Sequence, residues 1–143
     1  MSFLVEIKDP EITIEPECTK KVLFHTDIPL DSSARAKDVG VTMVIIGKIL
    51  ADAAEVGKPA DSTAKLLEWS KIPAEKKEAY KEVTVTVSAG GIATRKYRLT
   101  DAYVVDYYEK FTNTEGAGQF TLVLKQVKNK LLKVIVTGGF VDD

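Results

Sequence analysis

The sequence holds one cysteine and one histidine. A lone thiol, Cys18, cannot close an intramolecular bridge, so a disulfide framework is excluded and folding in a reducing cytosol is expected. One histidine with one cysteine does not make a zinc site. His25 could serve nucleophilic catalysis only beside a nucleophile and an orienting group. Asp27 is near in sequence, but on an extended segment the two side chains share a face without being placed for catalysis. An excess of charge of either sign is lacking as well: 20 Lys and Arg stand against 21 Asp and Glu, a formal charge of −1. Nothing in bulk therefore draws the chain to nucleic acid or to an anionic membrane. No apolar run approaches the ~20 residues of a membrane helix. The opening decapeptide, Met1 to Pro10, has no basic region and no long apolar stretch, so no signal peptide is expected. Gly90-Gly91 and Gly116-Ala117-Gly118 lie between predicted strands, away from any helix N-terminus that could hold phosphate, and read as hairpin turns. No cofactor and no metal are expected.

What is present is alternation. The 143 residues suit one domain, residues 1–143, with 45 % hydrophobic and 29 % charged side chains. Phe3, Val5 and Ile7, then Ile12 and Ile14, then Val22-Leu23-Phe24 predict short strands. From His25 to Gly40 the text turns polar and predicts a long loop; loops of this length are often functional. Val41 to Leu50 is rich in β-branched residues and predicts a strand buried on both faces. Asp61-Ser62 offers an N-cap to a helix over Thr63 to Lys71, docked by Leu66, Leu67 and Trp69. Pro73 opens a further helical turn through Ala79. Glu82 to Ser88 alternates strictly, Ala89-Gly90-Gly91 turns, and Tyr97 to Tyr108 predicts a long strand with Tyr97, Leu99, Tyr103, Val105 and Tyr107 at one parity. After a turn at Glu115 to Gly118, Gln119 to Leu124 and Leu131 to Val136 are the last strands. Val83, Val85, Val87, Leu99, Phe120, Leu122 and Leu124 are the expected core. The fold class read from this order is mainly β: an antiparallel β-barrel-like single domain with one short α-helix on its side or end.

Candidate chemistry is sparse. Asp101, Asp106 and Glu109 lie along one strand, where acids are usually solvated or ion-paired rather than paired across a substrate. Tyr103, Tyr107 and Tyr108 could stack on bases, but without basic excess they read as barrel or interface packing.

An ordered series of segments carries a resemblance. It runs from Gly40-Val41-Thr42-Met43-Val44-Ile45-Ile46-Gly47-Lys48-Ile49 through the helix Ser62-Thr63-Ala64-Lys65-Leu66-Leu67-Glu68-Trp69. It continues with Tyr80-Lys81-Glu82-Val83-Thr84-Val85-Thr86-Val87, then Tyr97-Arg98-Leu99-Thr100-Asp101-Ala102-Tyr103-Val104-Val105-Asp106-Tyr107. It ends on Phe120-Thr121-Leu122-Val123-Leu124-Lys125-Gln126-Val127-Lys128. This series resembles the haemolysin-coregulated-protein family, the tube subunits of type VI secretion and related contractile injection systems. The match covers Gly40 to Val136; the first forty residues match poorly, and Leu131 to Val136 is more apolar than the family pattern.

The resemblance implies a structural subunit, not an enzyme, forming rings of six that stack into a hollow tube. Its implied partners are copies of itself, the sheath, baseplate or spike and effector proteins, with no nucleic acid and no membrane. It implies a cytoplasmic protein that is secreted only as part of an injection apparatus. The polar loop would be the inter-ring element, through Asp31, Arg35, Lys37 and Asp38. Two other readings stay open: a ligand- or effector-binding β-barrel carrier, and a hydrolase using Asp101, Asp106 or His25.

Overall fold

A computed structural model describes residues 1–8, 11–28, 40–50, 63–113, 117–127, 130 and 133–138. Among these residues eight strands and one α-helix follow in order: β1 (Ser2–Ile7), β2 (Ile12–Ile14), β3 (Thr19–Asp27), β4 (Gly40–Leu50), α1 (Thr63–Ser70), β5 (Lys81–Ala89), β6 (Ile92–Lys110), β7 (Ala117–Gln126) and β8 (Ile135–Gly138). All ladders are antiparallel, in the order β2-β1-β5-β6-β7-β4-β3, with β8 added to β6. The sheet curls, because β1 comes against β3 and the Phe24 ring of β3 stacks on Tyr97 of β6 at 4.5 Å. One core results. Val5, Ile7, Ile12, Ile14, Met43, Ile45, Val83, Val85, Leu99, Phe120, Leu122 and Leu124 are all buried in it. Each such side chain contributes about 1.5–3 kcal/mol by leaving water.

The expected core is therefore found, with Val87 half-buried at its margin. The two-residue turn Gly90-Gly91 joins β5 to β6, with Ala89 paired to Ile92 and both glycines at positive φ, 60° and 82°. That is the geometry a tight hairpin between right-twisted strands requires.

Several expectations are corrected. The polar stretch from His25 is not loop at its ends: His25, Thr26 and Asp27 pair with Thr42, Val41 and Gly40. Cross-strand pairing overrides polarity here. β4 is not buried on both faces. Val41, Met43, Ile45 and Gly47 are buried while Thr42, Val44 and Ile46 are half-covered and Lys48 is exposed, because one face of a curled sheet meets the core. Gly47 is required where it stands: a Cβ there would meet the Cys18 carbonyl and the Phe120 ring.

Helix α1 ends at Ser70 and docks through Leu66 and Trp69, whereas Leu67 is 41 % exposed. Two apolar positions three apart make the stripe, and Leu67 lies off it. The Trp69 indole N–H donates to the Ala79 carbonyl at 2.8 Å, tying the helix to a 3-10 turn at Lys77–Ala79, a shorter piece than the predicted Pro73 to Ala79 turn. The proposed cap Asp61-Ser62 lies outside the described residues. The last strand is Ile135–Gly138, not Leu131 to Val136: Val134 precedes it, and Leu131 and Leu132 lie outside the described residues. The expected turn at Glu115 to Gly118 is already strand at Ala117 and Gly118.

The largest correction is in β6. Its ladder with β5 shifts between the pairs Ser88↔Ala93 and Val87↔Arg95 and again between Val83↔Leu99 and Lys81↔Ala102, and its ladder with β7 shifts between Val104 and Asp106. Each bulge adds one residue to β6 and flips the parity. Leu99 faces the core, then Ala102 and Val104, then Tyr107, while Val105 is 44 % exposed. A single parity from Tyr97 to Tyr107 does not hold. The bulge at Thr100-Asp101 has its own hydrogen-bond partners: the buried Gln126 amide accepts from the Asp101 N–H at 2.9 Å and donates to Thr100 Oγ1 at 2.9 Å and to the Lys130 carbonyl at 3.0 Å. The off-ladder Asp101 N–H is thereby satisfied, and its carbonyl accepts from the Val127 N–H at 3.2 Å.

Candidate assembly surface

Ala102 pairs with Lys81 of β5 and with Gln126 of β7, so those two strands lie on opposite sides of β6. Beyond Ala102 the β5 ladder ends, and among the described residues β6 runs on to Lys110 beside β7 alone. Its C-terminal half, with β7, β4 and β3, makes a four-stranded layer. At the other side of that layer β3 pairs only with β4 among the described residues. Three antiparallel steps separate β6 from β3, so the two border strands run in opposite directions.

Register fixes which side chains share the layer's outward face. Met43, Ile45, Phe120 and Leu122 point into the core, so their strand neighbours point out. One row reads His25, Thr42, Lys125, Tyr103; the next Leu23, Val44, Val123, Asp106; the next Lys21, Ile46, Thr121, Tyr108; the last Lys48, Gln119, Lys110.

At the end of this face nearest the polar stretch, Asp27 is a node. Its carboxylate accepts from the Thr42 hydroxyl at 2.6 Å, from His25 Nδ1 at 2.8 Å and from Lys125 Nζ at 3.3 Å. The Thr42 bond first, then His25 and Lys125, hold the Asp27 carboxyl below the usual carboxylate range, against the opposing effect of burial. Three strands are thus clamped where the chain leaves β3. The inter-ring residues expected there, Asp31, Arg35, Lys37 and Asp38, lie outside the described residues.

The other sequence candidates are placed as follows. His25 and Asp27 do meet, within this structural clamp. Asp101 is bound to Lys130 Nζ at 3.1 Å and to Thr100 Oγ1 at 2.8 Å; burial pushes its carboxyl up, and Thr100 and Lys130 more than offset it. Asp106 faces outward opposite Val123, whereas Glu109 lies opposite Phe120 on the other face and accepts from the Tyr107 hydroxyl at 2.7 Å. The strand acids are not brought together. Tyr107 packs on Phe120 and Tyr103 meets Tyr80 edge-on, leaving Tyr108 as the exposed ring. Cys18 is half-buried. Among the described residues, no group of three His, Cys, Asp or Glu side chains could hold a metal ion, and no helix is long and apolar enough to cross a membrane.

No protein-family model matches the chain, and no curated protein does. Solved structures do. Hcp1 from Flavobacterium johnsoniae superposes with a TM-score of 0.60 at 17 % identity, covering 100 % of both chains. A type VI secretion system effector from Yersinia pestis gives 0.54 at 11 % identity, over 94 % of this chain and 96 % of that one. A chain of the sheath-tube complex of an extracellular contractile injection system, PVC, gives 0.52 at 12 % identity, over 96 % and 89 %. The likeness at these identities is one of fold, it extends over the N-terminal forty residues that the sequence resemblance left unmatched, and by it this chain has an Hcp-like fold.

Proposed function

We propose that this chain is a structural subunit of the inner tube of a type VI secretion or related contractile injection apparatus, and that it closes head-to-tail into rings of six that stack. The observation that carries the reading is the four-stranded layer bounded on one side by β3 and on the other by the C-terminal half of β6. The two borders run in opposite directions, so β3 of a second copy can continue the antiparallel layer beside β6. Different surfaces meet in such a contact, and a heterologous contact closes into a ring when its rotation closes. Closure also covers exposed strand edges, which otherwise invite indiscriminate pairing. Sheath, baseplate or spike and effector proteins are the further partners of this reading, and export occurs with the apparatus. The role needs no catalytic group.

Sedimentation and disulfide trapping test it together. In a Cys18→Ser background, Leu23→Cys on β3 and Tyr108→Cys on β6 are combined. Mild oxidation is expected to give a ladder of covalent species ending at six, while either cysteine alone gives no ladder. Monomer at every concentration, with no ladder, would reject the ring.

A further inference from the structure

The outward face of the β6-β7-β4-β3 layer is not an ordinary solvated face. Its second row is aliphatic across three strands, Leu23, Val44 and Val123, before it ends on Asp106 of β6, and Ile46 and Tyr108 lie beside it. Leu23 is 46 % and Tyr108 53 % exposed. Its last row gathers positive charge. Gln119 lies between Lys48 and Lys110 on the adjoining strands, at strand spacings of about 4.8 Å, and accepts from Lys20 Nζ at 3.2 Å. Lys21 is one row away. Among the described residues none of these four lysines forms an ion pair. Among the described residues the ion pairs on this face, Lys125 with Asp27 and, when the imidazole is protonated, His25 with Asp27, sit together at its far end, and Asp106 is the one other described acid in its rows. In a chain of near-zero net charge, four cations are thus concentrated beside an apolar band.

We infer that this face binds an acidic polypeptide segment that also carries apolar side chains. The band takes the apolar groups, and the lysines take the carboxylates, adding orientation and encounter rate more than raw affinity. Nucleic acid fits less well. The aliphatic row offers phosphates nothing, the lysines gather at one end instead of tracking along the face, and the rows hold no arginine, the usual partner of bases and phosphates. The inference goes beyond the tube reading and does not depend on it, because ring closure through β3 and β6 uses strand edges and leaves the side chains of this face free.

The test is fluorescence anisotropy with a labelled peptide alternating glutamate and leucine. A lysine–leucine peptide and a single-stranded DNA oligonucleotide serve as the other probes. The glutamate–leucine peptide is expected to bind the full chain. Lys48→Glu with Gln119→Glu should weaken it at least about tenfold, as should raised salt. Val44→Thr with Val123→Thr, which keeps strand propensity, should weaken it separately. Should the first pair fail to fold, Lys48→Glu alone, at an exposed position, repeats the charge test. The inference is overturned by absence of peptide binding, by affinity unchanged in both pairs of variants, or by tighter binding of the lysine–leucine peptide or the oligonucleotide. Sedimentation of the same samples reads ring formation independently, so lost rings with retained peptide binding count only against the tube.

Discussion

Trp69 shows how much one side chain does in this chain. An isolated helix of eight residues is marginal in water, so α1 owes its order to what Trp69 and Leu66 cover. The indole also donates its single N–H to Ala79 inside the protein, and its ring lies 5.9 Å from the buried Lys81 ammonium. Trp69→Phe keeps most of the packing and removes the donor. It is expected to cost about 1–3 kcal/mol, the usual consequence of stranding a buried carbonyl, measured as a shift of the urea midpoint with unchanged slope. A shift indistinguishable from zero would mean that Ala79 finds water. Trp69 was legible in the sequence as a docking residue. Its partner Ala79 was not, because ten residues and a 3-10 turn intervene. Leu67 is exposed, because the buried stripe of the helix runs Thr63, Leu66, Trp69 and Leu67 lies off it.

Among the elements, alternation was a sound guide wherever the ladder is regular. Val83, Val85, Phe120, Leu122 and Leu124 are buried as their spacing demands. It failed in β6, whose three bulges carry no glycine or proline to announce them; Thr94, Thr100-Asp101 and Val105 look like ordinary strand. The same blindness hid the candidate assembly surface. Asp27 gathers Thr42 and Lys125 from strands distant in sequence, and the lysine row becomes visible only once β4, β7 and β6 are set side by side. The polar connection from β3 to β4 belongs to this scale. On the proposed tube reading it would be the element that reaches the adjacent ring, where the mixed charges of Asp31, Arg35, Lys37 and Asp38 would suit a head-to-tail contact in which salt bridges set register. Deleting Ser32 to Lys37 should leave rings intact in negative-stain images, since strand edges close them, while stacks fall apart. Stacks that survive the deletion would reduce the connection to a tolerated surface excursion.

For the molecule as a whole, three carboxylates tie separate segments of the chain together and share one direction of shift. Arg98 grips Glu82 through Nε at 3.0 Å and Nη2 at 3.2 Å and holds that carboxyl low; Asp27 and Asp101 are lowered likewise. A carboxyl with a lower pKa in the folded state binds fewer protons there than in the unfolded chain. Its contribution is therefore full above the unfolded pKa and is lost as pH falls through the folded one. Stability should be level near neutrality and decline below about pH 4. Because all three groups are partly exposed, the decline is modest for each. Asp27→Asn should flatten the acid limb of a plot of urea midpoint against pH; an unchanged limb would remove Asp27 from the account.

The nineteen-residue strand β6 has a mechanical consequence. It is held by β5 along its first half, by β7 along its second and by β8 beside the first, so it is a single covalent beam running through both portions of the sheet. At about 3.3 Å per residue it approaches 60 Å before the bulges and the curl shorten it. A load applied to one end of the subunit reaches the other along this backbone instead of through side-chain contacts. Yielding along that line means shearing several ladders at once rather than opening one like a zip. The bulges set the beam's angle: each lets β6 turn between the two portions of the sheet without a break in the chain, so stiffness and curvature come from the same strand.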